Sequence, residues 1–288
     1  LAQAVYADTG APSGWERRGN SQPNPSGYFG AVFRNDLTGE IVIAHRGTEP
    51  TSFHDLYADH QMGLGLVPDQ YQYAQEFLEQ VESAYQDAPL SITGHSLGGA
   101  IAQLQGAQTG LTTVTFNPYG AGTLLPDFVA TYGDQSGRIA SGDFSNIQNH
   151  QTAFDGVSRL PGSTQIGSCR IEAATSELPA MSVAMSSGNI AFIAATMFVW
   201  SHSIARFTDE IYINPFQPSA WSTSFIAFAQ QFGNVVNGIE NSVANLFTAA
   251  HAYQRQDVAT QVWVRRAPLI LDLDGDGLET REIGRAHV

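Results

Sequence analysis

The apolar side chains of this chain fall into short β-rich runs and one longer segment with helical spacing. Two runs flank a polar turn and predict a β-hairpin, and two more follow later; the four span residues 28–33, 41–44, 90–92 and 111–116. Between the second and the third run, residues 68–86 carry apolar side chains three and four positions apart, which predicts an amphipathic helix. Strands that alternate with helices predict an α/β fold whose sheet contains parallel strands.

Three other segments have weaker patterns. Residues 15–27 are rich in glycine, proline, asparagine and serine and predict a loop. Residues 146–150 predict a further strand, although they are mostly polar. Residues 177–200 are the most apolar part of the chain.

One serine stands where a predicted strand turns into a predicted helix. The run 90–92 leads into Gly94-x-Ser96-x-Gly98, and a helix-forming segment follows. This spacing is typical of a nucleophile elbow, a sharp turn in which glycines avoid collisions and the serine hydroxyl stands above the sheet. The pattern also occurs in ordinary loops, so the flanking strand and helix carry the interpretation. We predict that Ser96 is a nucleophile.

Composition narrows the chemistry open to this serine. The 288 residues are 43% apolar, enough for a sizeable core, and the net charge of −14 argues against binding to nucleic acid or anionic membranes. The chain contains no lysine, which excludes a Ser–Lys pair and Schiff-base chemistry. Cys169 is the single cysteine, so no disulfide can form within the chain. No apolar run is long enough to span a membrane, and no signal peptide is expected at the start.

A serine nucleophile needs a histidine base, and the base needs a carboxylate. In hydrolases with an elbow, the acid and then the histidine follow the serine. This order excludes the histidines that precede the serine: His45, His54, His60 and His95. The side chain of His95 is expected to point away from the hydroxyl of Ser96. The histidines that remain are His150, His202, His251 and His287. His202 follows an apolar segment that can bury and orient it, so we predict that His202 is the base.

The carboxylates between the serine and this histidine provide the candidate acid. They are Asp127, Asp134, Asp143, Asp155, Glu172 and Glu177. Asp155 begins a loop directly after a predicted strand, and we predict that it orients the base. An oxyanion hole needs two hydrogen-bond donors. We predict that Leu97 supplies one backbone amide and that Thr48, just after the run 41–44, supplies the other.

Three motifs stand in order along the chain. They are Arg46-Gly47-Thr48, Gly94-His95-Ser96-Leu97-Gly98-Gly99 and Asp155-Gly156-Val157-Ser158-Arg159-Leu160-Pro161, with Phe116-Asn117-Pro118-Tyr119-Gly120 as a looser fourth. This set resembles the class 3, or fungal-type, triacylglycerol lipase family. The resemblance implies an α/β-hydrolase fold, a mostly parallel sheet flanked by helices, with Ser96, Asp155 and His202 as catalytic triad. His45 and Ser158 depart from the family pattern, and the lack of intrachain disulfides suggests a bacterial branch.

The end of the chain carries aspartates at alternate positions. Residues 269–280 resemble a segment of large bacterial repeat-in-toxin proteins, and Asp272, Asp274 and Asp276 match the first half of an EF-hand loop. The twelfth loop position, where a bidentate glutamate belongs, is Ile283. The three aspartates are therefore either a candidate calcium site or a solvated acidic turn.

These segments suggest that the chain has three parts. They also suggest that the chain is a fragment of a longer secreted protein. We expect an α/β-hydrolase domain over residues 1–210, a helical extension over 211–264 that packs on the core, and an Asp/Gly-rich tail over 265–288.

The function implied is that of a serine carboxylester hydrolase acting on lipid acyl esters, as a lipase or phospholipase A1, through an acyl-enzyme. It needs no cofactor for the chemical step, and its expected partner is a lipid or phospholipid at an interface. Residues 177–200 would form either the wall of an acyl pocket or lipid-seeking surface, or a buried helix pair behind His202. Two alternatives stay open: a non-catalytic segment of a secreted repeat-in-toxin-like protein, and an acyltransferase or soluble-ester esterase with the same triad. The sequence leaves the oligomeric state open.

Overall fold

The computed structural model describes residues 1–7, 9–47, 61–160, 162–174, 177–189, 193, 196–208 and 212–213. Apart from a short strand at its start, the expected helical extension over 211–264 lies outside the described residues, and so does the whole tail over 265–288.

The described strands form one eight-stranded sheet in which each strand pairs with its neighbours in the sequence. The strands are β1 (Trp15–Asn20), β2 (Gly30–Asn35), β3 (Ile41–His45), β4 (Leu90–His95), β5 (Thr112–Phe116), β6 (Ile147–Thr152), β7 (Ser168–Ala174) and β8 (Tyr212–Ile213). The strands β3 to β7 are parallel, whereas β1–β2, β2–β3 and β7–β8 are antiparallel. This mostly parallel sheet, flanked by helices, is an α/β-hydrolase fold, and it confirms the predicted hairpin as β2–β3.

Three strands differ from the sequence-based prediction. The first half of the segment 15–27, predicted as a loop, forms the edge strand β1. Strand β7 was not predicted, and the two-residue strand β8 lies where the start of a helical extension was expected. The residues of β1 are mostly exposed, because an edge strand with one antiparallel neighbour needs little apolar patterning. Its pairing with β2 is a long-range contact that local composition does not encode.

Five α-helices connect or flank the described strands. They are α1 (Gln70–Ala84), α2 (Leu97–Thr109), α3 (Leu125–Tyr132), α4 (Arg138–Ser141) and α5 (Glu177–Ser186). Helix α1 buries one face, including Tyr71, Phe77 and Leu78, as its spacing predicts. Helix α2 is buried from Leu97 to Ala107, which its small side chains permit.

Strands β2 and β3 are buried on both faces over most of their length. The main core joins residues of β2 and β3 to α1, α2 and α3, with Ile43, Leu104 and Phe128 among its fully buried side chains. A smaller cluster packs Val5 against Phe33 of β2. Alternate residues of β2 point into these two clusters, as a pleated strand between two layers requires.

A second core contains most of the apolar side chains described between residues 177 and 200. Met181 and Ala184 of α5 pack with Ile193 and Met197 around Phe154, which directly precedes Asp155. These side chains favour the interpretation as buried packing over that of a lipid-facing surface. On the same helix, Val183 is 62% exposed.

The carboxyl ends of the parallel strands bring the motifs together. In register, His45 of β3 pairs with Gly94 of β4, and His95 pairs with Phe116 of β5, which pairs with His150 of β6. The segments that follow these strands therefore meet at one edge of the sheet, where ligands bind in open α/β folds.

Candidate active site

Ser96 lies in a strained turn between β4 and α2. Its backbone has φ 59° and ψ −125°, a conformation that a residue with a side chain rarely adopts. The turn is held by hydrogen bonds from the Ser96 amide to the carbonyl of Phe116 (3.2 Å) and from the Gly99 amide to the carbonyl of Ser96 (3.0 Å). This is the geometry of the predicted nucleophile elbow.

The elbow glycines leave no room for side chains. A Cβ atom at Gly94 would collide with the carbonyl oxygen of Gly98, and one at Gly98 would collide with that of His45 and lie 2.7 Å from that of Arg46. These obstacles are backbone atoms of α2 and of residues 45–46 at the end of β3, which cannot rotate away as a side chain can. The two glycines therefore allow β4, α2 and the end of β3 to approach each other behind Ser96.

The three side chains predicted as a triad are hydrogen-bonded in series. His202 Nε2 lies 2.8 Å from Ser96 Oγ, and His202 Nδ1 lies 2.8 Å from Asp155 Oδ1. With the carboxylate as acceptor at Nδ1, that nitrogen carries the proton, and Nε2 accepts from the serine hydroxyl. The chemistry that this series permits is proton transfer from the serine to the imidazole.

Asp155 is fully buried, and its carboxylate accepts backbone hydrogen bonds from Val157 (3.2 Å) and Ser158 (2.9 Å). Burial raises the pKa of this carboxyl, but the imidazole of His202 and the hydrogen bonds from His202 and Ser158 outweigh it, so the pKa lies below its ordinary value. The group is therefore ionised and oriented at neutral pH.

Two side chains that the sequence analysis did not identify hold the backbone at Ser201 and His202 by hydrogen bonds. Thr152 Oγ1 donates to the carbonyl of Ser201 (2.8 Å), and Asn117 Nδ2 donates to the carbonyls of Ser201 (3.0 Å) and His202 (3.2 Å). Asn117 is buried with φ 42°, a value that asparagine tolerates better than most residues. The looser fourth motif, which contains Asn117, is the signal that could have identified it.

His95 does not bond the serine hydroxyl, as expected, but it lies closer to the site than the sequence suggested. Its Nε2 lies 2.7 Å from the carbonyl oxygen of His202, and its Nδ1 lies 2.8 Å from the hydroxyl of Tyr6. The ring centroids of His95 and His202 are 4.7 Å apart.

The structure describes one of the two predicted oxyanion donors, Leu97, but not the other, Thr48. Leu97 is the first residue of α2, so its amide is at the helix N-terminus beside the serine. Thr48 lies outside the described residues, and its role stays a prediction. Its neighbour Gly47 is packed against the elbow, because a Cβ atom there would be 2.5 Å from the carbonyl oxygen of His95 and 2.9 Å from Ser96 Cβ.

The other described candidates take no part in the Ser96–His202–Asp155 series. His150 Nδ1 lies 3.0 Å from Glu172, which also pairs with Arg170. Asp127 accepts from the amide of Val67 (2.9 Å). The remaining candidate acids are Asp134, bonded to the amide of Ala140, Asp143, paired with Arg138, and the buried Glu177. His54, His60, His251 and His287 lie outside the described residues.

The predicted calcium ligands Asp272, Asp274 and Asp276 all lie outside the described residues. Among the residues that the structure does describe, no group of three or more His, Cys, Asp or Glu side chains is arranged to hold a metal ion. In that same part of the chain, every helix is too short or too polar to cross a membrane.

Parts of this chain are similar to one phospholipase and to the structures of two lipases. A segment of 95 residues, 33% of this chain, is 34% identical to the extracellular phospholipase A1 of Serratia liquefaciens and spans 28% of that protein. The Lip2 lipase of Yarrowia lipolytica is 18% identical with a TM-score of 0.37, over 55% of this chain and 66% of that one. A triacylglycerol lipase of Penicillium expansum is 16% identical with a TM-score of 0.39, over 61% and 76%.

The family model of a Tle-like phospholipase domain matches residues 1–196. It confirms the recognition of a lipase-type family from the motifs, whereas the repeat-in-toxin likeness of residues 269–280 lies beyond the matched residues and stays a prediction. The chain belongs to the Tle-like phospholipase domain family.

Proposed function

We propose that this chain is a serine hydrolase that cleaves carboxylic acyl esters of phospholipids, with the specificity of a phospholipase A1. The observation that carries the proposal is the series Ser96–His202–Asp155, with both hydrogen bonds at 2.8 Å, on a strained elbow at the carboxyl edge of the sheet. Family membership adds a lipid ester as the substrate class.

The residues of this chain supply each step of the reaction. His202 accepts the proton of Ser96 as the hydroxyl oxygen attacks the ester carbonyl, and Asp155 stabilises the resulting imidazolium. The amides of Leu97 and Thr48 donate to the oxyanion, and each donor lowers the barrier by about 3 kcal/mol. His202 then protonates the departing alcohol, and a water molecule activated by His202 hydrolyses the acyl-enzyme. None of these steps uses a metal ion.

Phospholipid is proposed over triglyceride because of the family and the Serratia relative named for phospholipase A1 activity. The same relative is named as extracellular, which supports secretion and action on a lipid interface. The calcium site at Asp272, Asp274 and Asp276 and the oxyanion role of Thr48 belong to the proposal as well.

The test compares the full chain with Ser96→Ala on two substrates, phosphatidylcholine vesicles and triolein emulsion, each with calcium and with chelator. We expect fatty acid from position 1 of the phospholipid, slower release from triolein, and loss of both in Ser96→Ala with an unchanged unfolding curve. Retained activity in Ser96→Ala would refute the nucleophile. Faster release from triolein would overturn the phospholipid preference.

A second measurement addresses the interface. Turnover of a short-chain ester is followed below and above its solubility limit, and we expect a marked rise above the limit. Equal turnover on both sides would contradict action at an interface.

A further inference from the structure

A second series of hydrogen bonds runs behind the Ser96–His202 pair. The backbone amide of Gly47 donates to the hydroxyl oxygen of Tyr6 (3.0 Å), and that hydroxyl lies 2.8 Å from His95 Nδ1. On the other side of the ring, His95 Nε2 lies 2.7 Å from the carbonyl oxygen of His202. The series joins the end of β3, next to the predicted oxyanion residue Thr48, to the backbone of the predicted base.

The direction of every bond in this series is determined. A carbonyl oxygen only accepts, so His95 Nε2 carries a proton and donates to His202. Burial, and then the positive charge of His202 when it is protonated, lower the pKa of His95 to about 3, so the ring is neutral and Nδ1 is an acceptor. The hydroxyl of Tyr6 therefore donates to Nδ1, and its oxygen accepts from Gly47.

Tyr6 and His95 are closely packed against Gly47 and against each other. A Cβ atom at Gly47 would be 2.5 Å from the Tyr6 hydroxyl oxygen and 2.5 Å from the carbonyl oxygen of His95. The rings of Tyr6 and His95 meet edge to face, with centroids 5.9 Å apart. A shift of either ring would therefore move the backbone at Gly47 or at His202.

The same sheet contains a matched pair whose side-chain hydrogen bonds lead away from the triad. The hydroxyl of Tyr28 lies 2.9 Å from His45 Nδ1, and His45 Nε2 lies 2.8 Å from Gln105 Oε1. Because the amide nitrogen of Gln105 donates to the carbonyl of Ala74, its Oε1 accepts, and His45 has the same tautomer as His95. Tyr28 thus provides a control for the loss of a buried tyrosine hydroxyl.

We propose that Tyr6 and His95 are positioning residues that tie the oxyanion side of the site to the carbonyl of His202 and hold the base against Ser96. The proposal rests on the proposed ester hydrolysis. The bonds of the series go to the backbone of His202 and not to the reacting atoms; they act by keeping His202 at its 2.8 Å distance from the serine hydroxyl. Asn117 Nδ2 also donates to the carbonyl of His202 (3.2 Å). Because of this second hydrogen bond, we expect the loop to stay folded when the bond from His95 is lost.

The kinetic test uses Tyr6→Phe, His95→Phe, the double variant, His95→Gln and the control Tyr28→Phe. A lost positioning bond should lower kcat about tenfold in Tyr6→Phe and about tenfold or more in His95→Phe, with KM within about twofold of wild type. The double variant should be no slower than His95→Phe, because both changes break one series. His95→Gln, whose amide can still donate to the carbonyl of His202, should recover part of the rate.

Tyr28→Phe should lose stability as Tyr6→Phe does but keep kcat. Equal effects of Tyr6→Phe and Tyr28→Phe on kcat, or fully additive losses in the double variant, would overturn the proposal. An insoluble His95→Phe leaves Tyr6→Phe and His95→Gln to decide it.

A measurement independent of turnover separates this proposal from the proposed function. In ¹⁵N-histidine NMR spectra of the whole chain, we expect His95 to show a protonated Nε2 and a bare Nδ1 at neutral pH. Tyr6→Phe should shift the ring signals of His202, and Tyr28→Phe should leave them unchanged. The opposite tautomer, or unchanged His202 signals in Tyr6→Phe, would refute the series even in an active enzyme. A chain that releases no fatty acid would refute the function but leave the spectra to decide the series.

Discussion

At Asp155, burial and hydrogen bonding act in opposite directions on one carboxylate. The side chain has no exposed surface, and it stays ionised because two backbone amides and an imidazole face it. An unpaired buried charge would be strongly destabilising, so the pairing with His202 serves both stability and orientation.

Asp155→Asn should lower kcat by about 10³- to 10⁴-fold with little change in KM. The amide would no longer stabilise the imidazolium, and its nitrogen would favour the tautomer that cannot accept from Ser96. Initial rates on a dispersed phospholipid, with substrate concentration varied, measure both constants. Asp134→Asn, a change at a surface aspartate among the original candidates, is the control and should keep the wild-type rate. An Asp155→Asn variant within tenfold of wild type would contradict the role of the acid.

At the scale of elements, the site depends on how closely α2 and β4 approach the end of β3. Gly94 and Gly98 permit this approach, and the atoms that exclude a Cβ there are backbone oxygens. The second core positions the acid, because Phe154, the residue before Asp155, is buried in it and the ring of Phe198 lies against Gly156.

Gly98→Ala should destabilise the fold by about 3 kcal/mol or more and abolish activity, since overpacking against backbone cannot be relieved by a rotamer change. Urea unfolding followed by circular dichroism measures the stability. Gly19→Ala is the control, because a Cβ atom at Gly19 meets nothing within 4 Å. A Gly98→Ala protein with wild-type stability would show that the elbow is less tight than described.

Met181→Ala should cost about 2–5 kcal/mol of stability, because it leaves a cavity in the second core beneath the acid loop. Val183→Ala on the same helix is the control, since that side chain is 62% exposed and its loss should change stability by about 0.5 kcal/mol or less. Thermal unfolding of both variants checks this. Equal destabilisation would mean that α5 presents a different face to the core.

For the whole molecule, buried neutral histidines make stability depend on pH. Burial lowers the pKa of His45 to about 4 and that of His95 to about 3, against an ordinary value of 6.5. Between these lowered values and 6.5 the unfolded chain binds protons that the folded chain does not, so protons favour unfolding. Asp155, with its lowered pKa, adds stability above its ordinary value of 3.8 that is lost as the pH falls through the folded value.

The free energy of unfolding should therefore fall as the pH is lowered from about 6.5 towards 4, by roughly 1 kcal/mol per pH unit for each of the two histidines. Urea unfolding at several pH values between 4.5 and 7.5 measures the slope. His45→Gln, which cannot take up a proton, should show a smaller slope. A stability that is constant or rises towards pH 4.5 would contradict neutral burial of both rings.

Several elements could be predicted because their signal is local. The hairpin β2–β3, helix α1 and the elbow at Ser96 each follow from residues within a few positions of one another. The choices of Asp155 and His202 came from chain order, and the structure brings both within hydrogen-bonding distance of a partner. Strand β1 escaped prediction because its evidence lies in pairing with β2, and β7 because its pairing with β6 is equally non-local.

By itself the sequence determined the strand–helix alternation, the elbow and the types of side chain that carry the chemistry, because these depend on local sterics and on residue identity. Only the tertiary structure decided which groups hold the backbone at Ser201 and His202: His95, Asn117 and Thr152, with Tyr6 behind His95, come from four separate parts of the chain. Contacts of this kind require the parallel register of the strands, which sets their carboxyl ends at one edge, and no local pattern records that register.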